Sequence, residues 1–243
     1  FAFEQVESNV RDAIERLGVP YPVVLDNAYK TWGAFGNRFW PREYLVDIDG
    51  YIVYDHAGEG AYDKTEEAVQ AALAERAMRL GTTVPKPNLA TPSGDDHSGV
   101  GSPEVYFGAS RNEYLGNGAS GRTGAQMFVL PTTPQPNTLY LGGPWDIAPE
   151  HAESQSVASI EYYYSASDVY FVASATTPVA VQIFLDGKLV GQQGGADVDK
   201  ATSIVTVNGD RLYHLVHTAK PGAHVLELRV GGAGLKVYTF TFG

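Results

Sequence analysis

The sequence predicts an α/β segment followed by an all-β antiparallel sandwich of jelly-roll type, and three observations carry that reading. Residues 4 to 17 place Val6, Val10, Ala13, Ile14 and Leu17 at spacings of three and four, the period of an amphipathic helix. Residues 37 to 55 hold two short apolar runs, Tyr44-Leu45-Val46 and Tyr51-Ile52-Val53-Tyr54, separated by Asp49-Gly50. That pattern reads as a tight β-hairpin with a glycine turn. Beyond Pro103 helical periodicity stops, and short β-rich runs alternate with turn signals to the end of the chain.

Taken in order, the first helix is predicted to stop at Gly18. Pro22 to Asp26 reads as a short strand, and residues 27 to 35 as a short helix stopped by Gly36. After the hairpin, Asp63 and Glu66 form a capping-box pattern opening a helix to Leu80, with Gly81 as its stop. Residues 82 to 102, rich in Pro, Gly, Ser and Thr, read as an exposed linker. The later strands are predicted at 105–107, 126–130, 138–141, 156–164, 168–174, 179–185, 188–192, 203–207, 212–217, 224–230 and 235–242. Asp186-Gly187 and Asn208-Gly209-Asp210 mark two of their turns.

The chain carries 17 Lys+Arg against 28 Asp+Glu, a formal charge of −11. Up to Gly81 the count is 8 against 14, and beyond it 9 against 14, so neither part is basic. Nucleic acid is therefore not an expected partner, because a polyanion is repelled by both parts. The absence of Cys excludes an internal disulfide and a thiolate zinc site. No apolar run approaches the ~20 residues that span a bilayer, and no signal peptide opens the chain. The abrupt start at Phe1 predicts a fragment or a processed product.

Several motifs carry a resemblance: Pro22-Val23-Val24-Leu25-Asp26-Asn27, Tyr29-Lys30-Thr31-Trp32, Phe35-Gly36-Asn37-Arg38, Trp40-Pro41, Tyr44-Leu45-Val46-Asp47, Gly50 and Gly58-Glu59-Gly60-Ala61-Tyr62. Over residues 1 to 81 they resemble the C-terminal part of the thioredoxin-like domain of DipZ-type cytochrome c biogenesis proteins. The resemblance implies a membrane-embedded CcdA-like part, then an extracytoplasmic thioredoxin-like domain, then a carbohydrate-binding-module-like domain, here residues 103 to 243. It implies a thiol-disulfide oxidoreductase that reduces client disulfides, such as those of an apocytochrome c, with electrons from the CcdA-like part. This chain departs from the family in lacking the Cys-x-x-Cys, which is expected upstream of Phe1 together with the central strands of the sheet. By this reading the molecule is extracytoplasmic and tethered through a part not in this chain. Without those strands, the edge of Tyr44-Leu45-Val46 exposes unpaired backbone.

No catalytic residue lies in this chain, since thiol-disulfide exchange needs a thiolate and a resolving thiol. Trp40 and Pro41 are the predicted substrate-facing wall. On its own Trp40-Pro41 also fits a trans proline opening a strand; the resemblance implies a cis bond, with the Trp40 backbone pairing an extended client segment. Glu59 and Tyr62 read as a solvated turn.

No cofactor is implied. The six histidines read as ordinary side chains and not as metal ligands, with His214 and His217 on opposite faces of one strand. Gly118-Ala119-Ser120-Gly121 lacks the nucleophile-elbow pattern, and Gly191 to Gly195 opens no helix that could cradle phosphate. Trp145, placed on a predicted loop, is the candidate for stacking a glycan, with packing under that loop as the alternative. A second functional class follows: a non-catalytic binding module for cell-wall glycan or protein. A peroxiredoxin-like peroxidase is a third, requiring a single upstream Cys.

Overall fold

The computed structural model describes residues 1–83 and 100–243. It is mostly β, with 40% of residues in strands and 19% in helices. The chain forms two compact units, one of Phe1–Ala13 with Asp96–Gly243 and one of Ile14–Asp95. Most of the predicted linker lies outside the described residues.

A 3-10 turn (Ala2–Gln5) leads into α1 (Glu7–Leu17), which ends at Gly18 in the left-handed region. In the smaller unit follow α2 (Lys30–Ala34), β1 (Arg42–Val46), β2 (Ile52–Ala57) and α3 (Tyr62–Leu80). The hairpin forms as the alternation predicts, with β1 and β2 antiparallel and irregular between Leu45 and Val46. Its turn is built by Asp47, whose Oδ1 accepts from the Asp49 and Tyr51 amides at 2.9 and 2.8 Å. Gly50 takes φ +90° there, a conformation side chains resist.

Two local expectations fail. Pro22 to Asp26 is not a strand, because β1 pairs only with β2 and no described strand lies beside it to complete a ladder. Asp63 is not the helix cap either: the cap lies two residues earlier, at Ala61, which is left-handed at φ 52°. Asp63 instead sits in the first turn, where the positive end of the helix favours a carboxylate without a capping bond. Gly81 does end the helix, left-handed, with its amide on the Ala77 carbonyl.

The larger unit holds ten strands: β3 (Val105–Tyr106), β4 (Gly124–Phe128), β5 (Leu139–Ile147), β6 (Ala152–Ser154), β7 (Ala158–Ser174), β8 (Val179–Leu185), β9 (Lys188–Leu189), β10 (Ile204–Val207), β11 (Arg211–Val230) and β12 (Lys236–Phe242). Four strands predicted separately are in fact two long ones, β7 and β11, paired antiparallel from Ala158↔Val230 to Ala173↔Arg211. The serines of Ser165-Ala166-Ser167 look like a break in the sequence, yet they bond within the structure. The Ser165 amide donates to Ser102 Oγ at 2.8 Å, and Thr218 Oγ1 donates to the Ser167 carbonyl at 3.0 Å.

On its other edge β7 changes partner midway. Residues Ser159 to Tyr162 pair with β5, and Val169 to Ser174 pair with β12. Because β5 also pairs with β6, and β6 with β12, the path β7–β5–β6–β12 closes on itself. β8 extends the sheet from β11, with β10 and β9 on β8.

Strict alternation fills the interior: Ala158, Ile160, Tyr162, Tyr164 and Ala166 of β7 are all buried. Beyond Ala166 the buried set becomes Val169, Phe171 and Ala173, so the pleat changes parity at Ser167-Asp168. At ~25 cal/mol per Å2 of apolar surface, a core with ten buried aromatic rings, seven of them fully buried, is the main source of this unit's stability. Phe1 and Phe3 add to the same unit, their rings 4.9 and 5.0 Å from that of Tyr238 on β12.

Candidate functional site

Trp40 and Pro41 lie between α2 and β1, and the bond joining them is cis. The Pro41 carbonyl accepts from the Gly58 amide at 2.9 Å, which fixes the corner against the end of β2. Trp40 itself is 74% exposed, its ring 4.3 Å from that of Trp32 on α2. Phe39, Trp40, Ala57 and Gly58 line one shallow hollow, and Val24, Asp26, Trp32, Phe35, Tyr44 and Val46 line an open groove.

The groove is held from below. Asp26 Oδ2 accepts from the Trp32 amide at 2.8 Å and Oδ1 from the Thr31 amide at 3.1 Å, which anchors the start of α2. The Trp32 amide bond, with those of Thr31 and Lys30, holds the Asp26 carboxyl below the usual carboxylate range. Tyr44 donates its hydroxyl to the Phe35 carbonyl at 3.2 Å. On the other side Thr65 of α3 donates to Glu43 Oε2 at 2.8 Å and meets the Tyr54 hydroxyl at 2.9 Å, tying the helix to the hairpin. Arg79 pairs with Asp49 at the hairpin turn. Despite these ties, Ala77 is the only buried residue among residues 14–83, and Val23, Val24, Phe35, Phe39, Val46, Ile52 and Val53 are exposed. Tyr62 donates to Glu59 Oε2 at 2.7 Å, and that bond raises its phenol pKa.

Trp145 is not where the sequence suggested. It lies within β5, is 0% exposed, and donates its indole N–H to the Gly142 carbonyl at 3.1 Å. The Gly142-Gly143-Pro144 run, read as a loop, continues a strand that pairs with β4 along Gly124 to Phe128. A ring without exposed surface offers no stacking face, so Trp145 is a core residue. None of the exposed large apolar side chains of residues 100–243 is aromatic.

The histidine reading also needs correction. His214 and His217 do not point to opposite faces, because β11 is irregular between His214 and Val216. Leu215 and Val216 are consecutive and both fully buried, the mark of a β-bulge that shifts the pleat by one residue. Both histidines therefore emerge on the same side and meet Asp168 of β7. His214 Nε2 is 2.7 Å and His217 Nδ1 2.8 Å from the same Asp168 Oδ1. Period-two reasoning missed this cluster; the signal in the sequence is the adjacent apolar pair Leu215-Val216 between the two histidines.

The family described as "Thioredoxin like C-terminal domain" matches residues 102–243, and the chain belongs to that family. The match falls on the β-rich part. Across the whole chain, the sequence is 33% identical over 244 aligned positions to Protein DipZ of Mycobacterium bovis and, equally, of Mycobacterium tuberculosis. The resemblance to a DipZ-type C-terminal portion therefore holds from end to end. The chain spans about one third of the length of these relatives (33%). Among solved structures, a family two carbohydrate esterase from Clostridium thermocellum in complex with cellohexaose aligns at TM-score 0.33 and 19% identity. That alignment covers 41% of this chain and 29% of that one. A two-domain esterase active on acetylated mannans, with mannopentaose, aligns at 0.31 and 15%, covering 73% and 46%. Neither likeness carries weight for fold or function. Among the described residues no helix is long and apolar enough to cross a membrane.

Proposed function

We propose that this chain is part of an extracytoplasmic thiol-disulfide oxidoreductase of cytochrome c biogenesis, whose reactive Cys-x-x-Cys lies upstream of Phe1. Residues 1 to 81 are the second half of a thioredoxin-like domain, 82 to 102 a connection, and 103 to 243 a jelly-roll-like sandwich of carbohydrate-binding-module type. In the whole protein a membrane-embedded CcdA-like part supplies electrons. A thiolate attacks the disulfide of a client such as an apocytochrome c, and the second thiol resolves the mixed disulfide and releases the reduced client. Trp40 and Pro41 form the wall against which the client segment lies.

The observation that carries this reading is the uncovered apolar surface around β1. A two-stranded hairpin between two helices is marginal by itself, and its flank leaves Val24, Phe35 and Val46 in water. Further strands and the helix bearing the thiols would cover it, and relatives three times as long have room for them. Glycan binding through stacked rings finds less support, since the β-rich unit exposes no large aromatic surface. A protein-docking role for that unit remains compatible with the same mechanism.

The test is the full-length protein carrying Trp40→Ala, assayed for reduction of a disulfide-bonded apocytochrome peptide. The expected outcome is a fall of about 10- to 100-fold in kcat/KM, from a mispositioned client, with reduction of a small disulfide reagent unchanged. Equal activity toward the client would contradict the assignment of Trp40.

A further inference from the structure

We propose that Asp168, His214 and His217 form a binding site for one divalent first-row transition ion, of which Zn2+ is the representative. The three side chains come from the two longest strands. Asp168 stands at the point in β7 where the pleat changes parity and the partner changes from β5 to β12. His214 and His217 flank the bulge in β11 directly opposite, paired with Tyr170 and Asp168 respectively. The bulge is what gives two histidines three residues apart a common direction.

The donor atoms converge. Asp168 Oδ1 lies 2.7 Å from His214 Nε2 and 2.8 Å from His217 Nδ1, and all three donor atoms lie within 4.8 Å of one another. The Val216 carbonyl oxygen lies 2.9 Å from His214 Nε2. Bonds of ~2.0–2.1 Å to Zn2+ give donor separations of roughly 3.3 Å in a tetrahedron, so seating the ion opens each of the two Asp168–histidine separations by about half an ångström. Two imidazoles and a carboxylate suit zinc, copper or nickel; calcium and magnesium prefer shells of oxygen.

The surroundings orient the set. The His214 backbone amide donates to Asp197 Oδ2 at 2.8 Å, and Arg211 pairs with the other oxygen at 2.7 Å. The His214 ring stacks on Tyr170 with centroids 4.5 Å apart, and Gly195 is backed so closely against His214 that a Cβ would lie 2.4 Å from its carbonyl oxygen. The Asp168 amide donates to the Gly243 carbonyl at 2.8 Å. His217 is 63% exposed, which leaves a solvent side for a water ligand, whereas Asp168 is 17% exposed. A bound ion links β7 to β11 where both strands break their regular pleat.

The test uses the untagged full chain, stripped with EDTA and titrated with ZnCl2 by calorimetry, with Tm followed in parallel. One Zn2+ per chain is expected, with Tm rising about 5–10 °C at a hundredfold excess over Kd. His217→Ala and Asp168→Asn should each weaken binding by at least about tenfold, while His224→Ala leaves it unchanged. His217 is exposed enough that its variant keeps the metal-free Tm. Absence of saturable binding below millimolar Zn2+ overturns the proposal, as does binding unaltered in both variants. Equal binding of Ca2+ overturns the assigned class of ion.

Discussion

Trp40 and Trp145 show how far composition alone can mislead at the level of single residues. Both sit beside a proline, and both were candidates for contact with a ligand. The cis Trp40-Pro41 corner was legible only through the family resemblance, since the dipeptide on its own also fits a trans proline. Trp145 was not, because Gly142-Gly143-Pro144 imitates a loop while its backbone continues β5. The two rings give opposite mutational signatures. Trp145→Ala should destabilise the protein by about 3–5 kcal/mol in a urea titration, the cost of emptying a fully buried aromatic site. Trp40→Ala should stay within about 0.5 kcal/mol of the parent chain, since the side chain is mostly in water.

Asp26 adds a prediction in pH. Its folded pKa lies below the unfolded value of ~3.9, so its contribution is complete above that value and is lost as pH falls through the folded pKa. Amide protection at Thr31 and Trp32 should therefore hold at pH 5 and collapse only in strong acid. Asp26→Asn should reduce it at pH 7.

Elements were more legible than their ends and their joins. The hairpin, α3 and β8 follow from alternation, helical spacing and glycine stops. What escaped was non-local. Pro22 to Asp26 has a strand's residues but no neighbour to pair with, and no local pattern reports that. β7 and β11 each read as two strands because polar residues at their midpoints look like turns, whereas here they bond across the sheet. The bulge at Leu215-Val216 then inverted the expected facing of His217. Gly50 tests the hairpin directly. Its φ of +90° with nothing near the missing Cβ means that Gly50→Ala meets only backbone strain, about 1–2 kcal/mol. Hydrogen exchange of the β1 and β2 amides should quicken by about 5- to 30-fold. An unchanged rate would show that the turn does not limit opening of the hairpin.

At the scale of the molecule, two units with different balances share one chain. The β-rich unit has a continuous aromatic core and is self-sufficient by that measure. Residues 14–83 bury a single alanine and leave a flank of apolar side chains in water. The uniform negative charge bears on solubility and on the exclusion of nucleic acid, and says nothing of fold. We propose that this chain, which has no cysteine of its own, belongs to a redox protein whose thiols lie elsewhere in the full-length molecule.

The measurement that tests it is the intact mass of the full-length protein from its source, before and after alkylation under reducing conditions, with peptide mapping. Two alkyl groups on one peptide upstream of Phe1, in a Cys-x-x-Cys spacing, are predicted. A full-length protein with no reactive cysteine pair upstream would contradict the account and leave this chain a binding module.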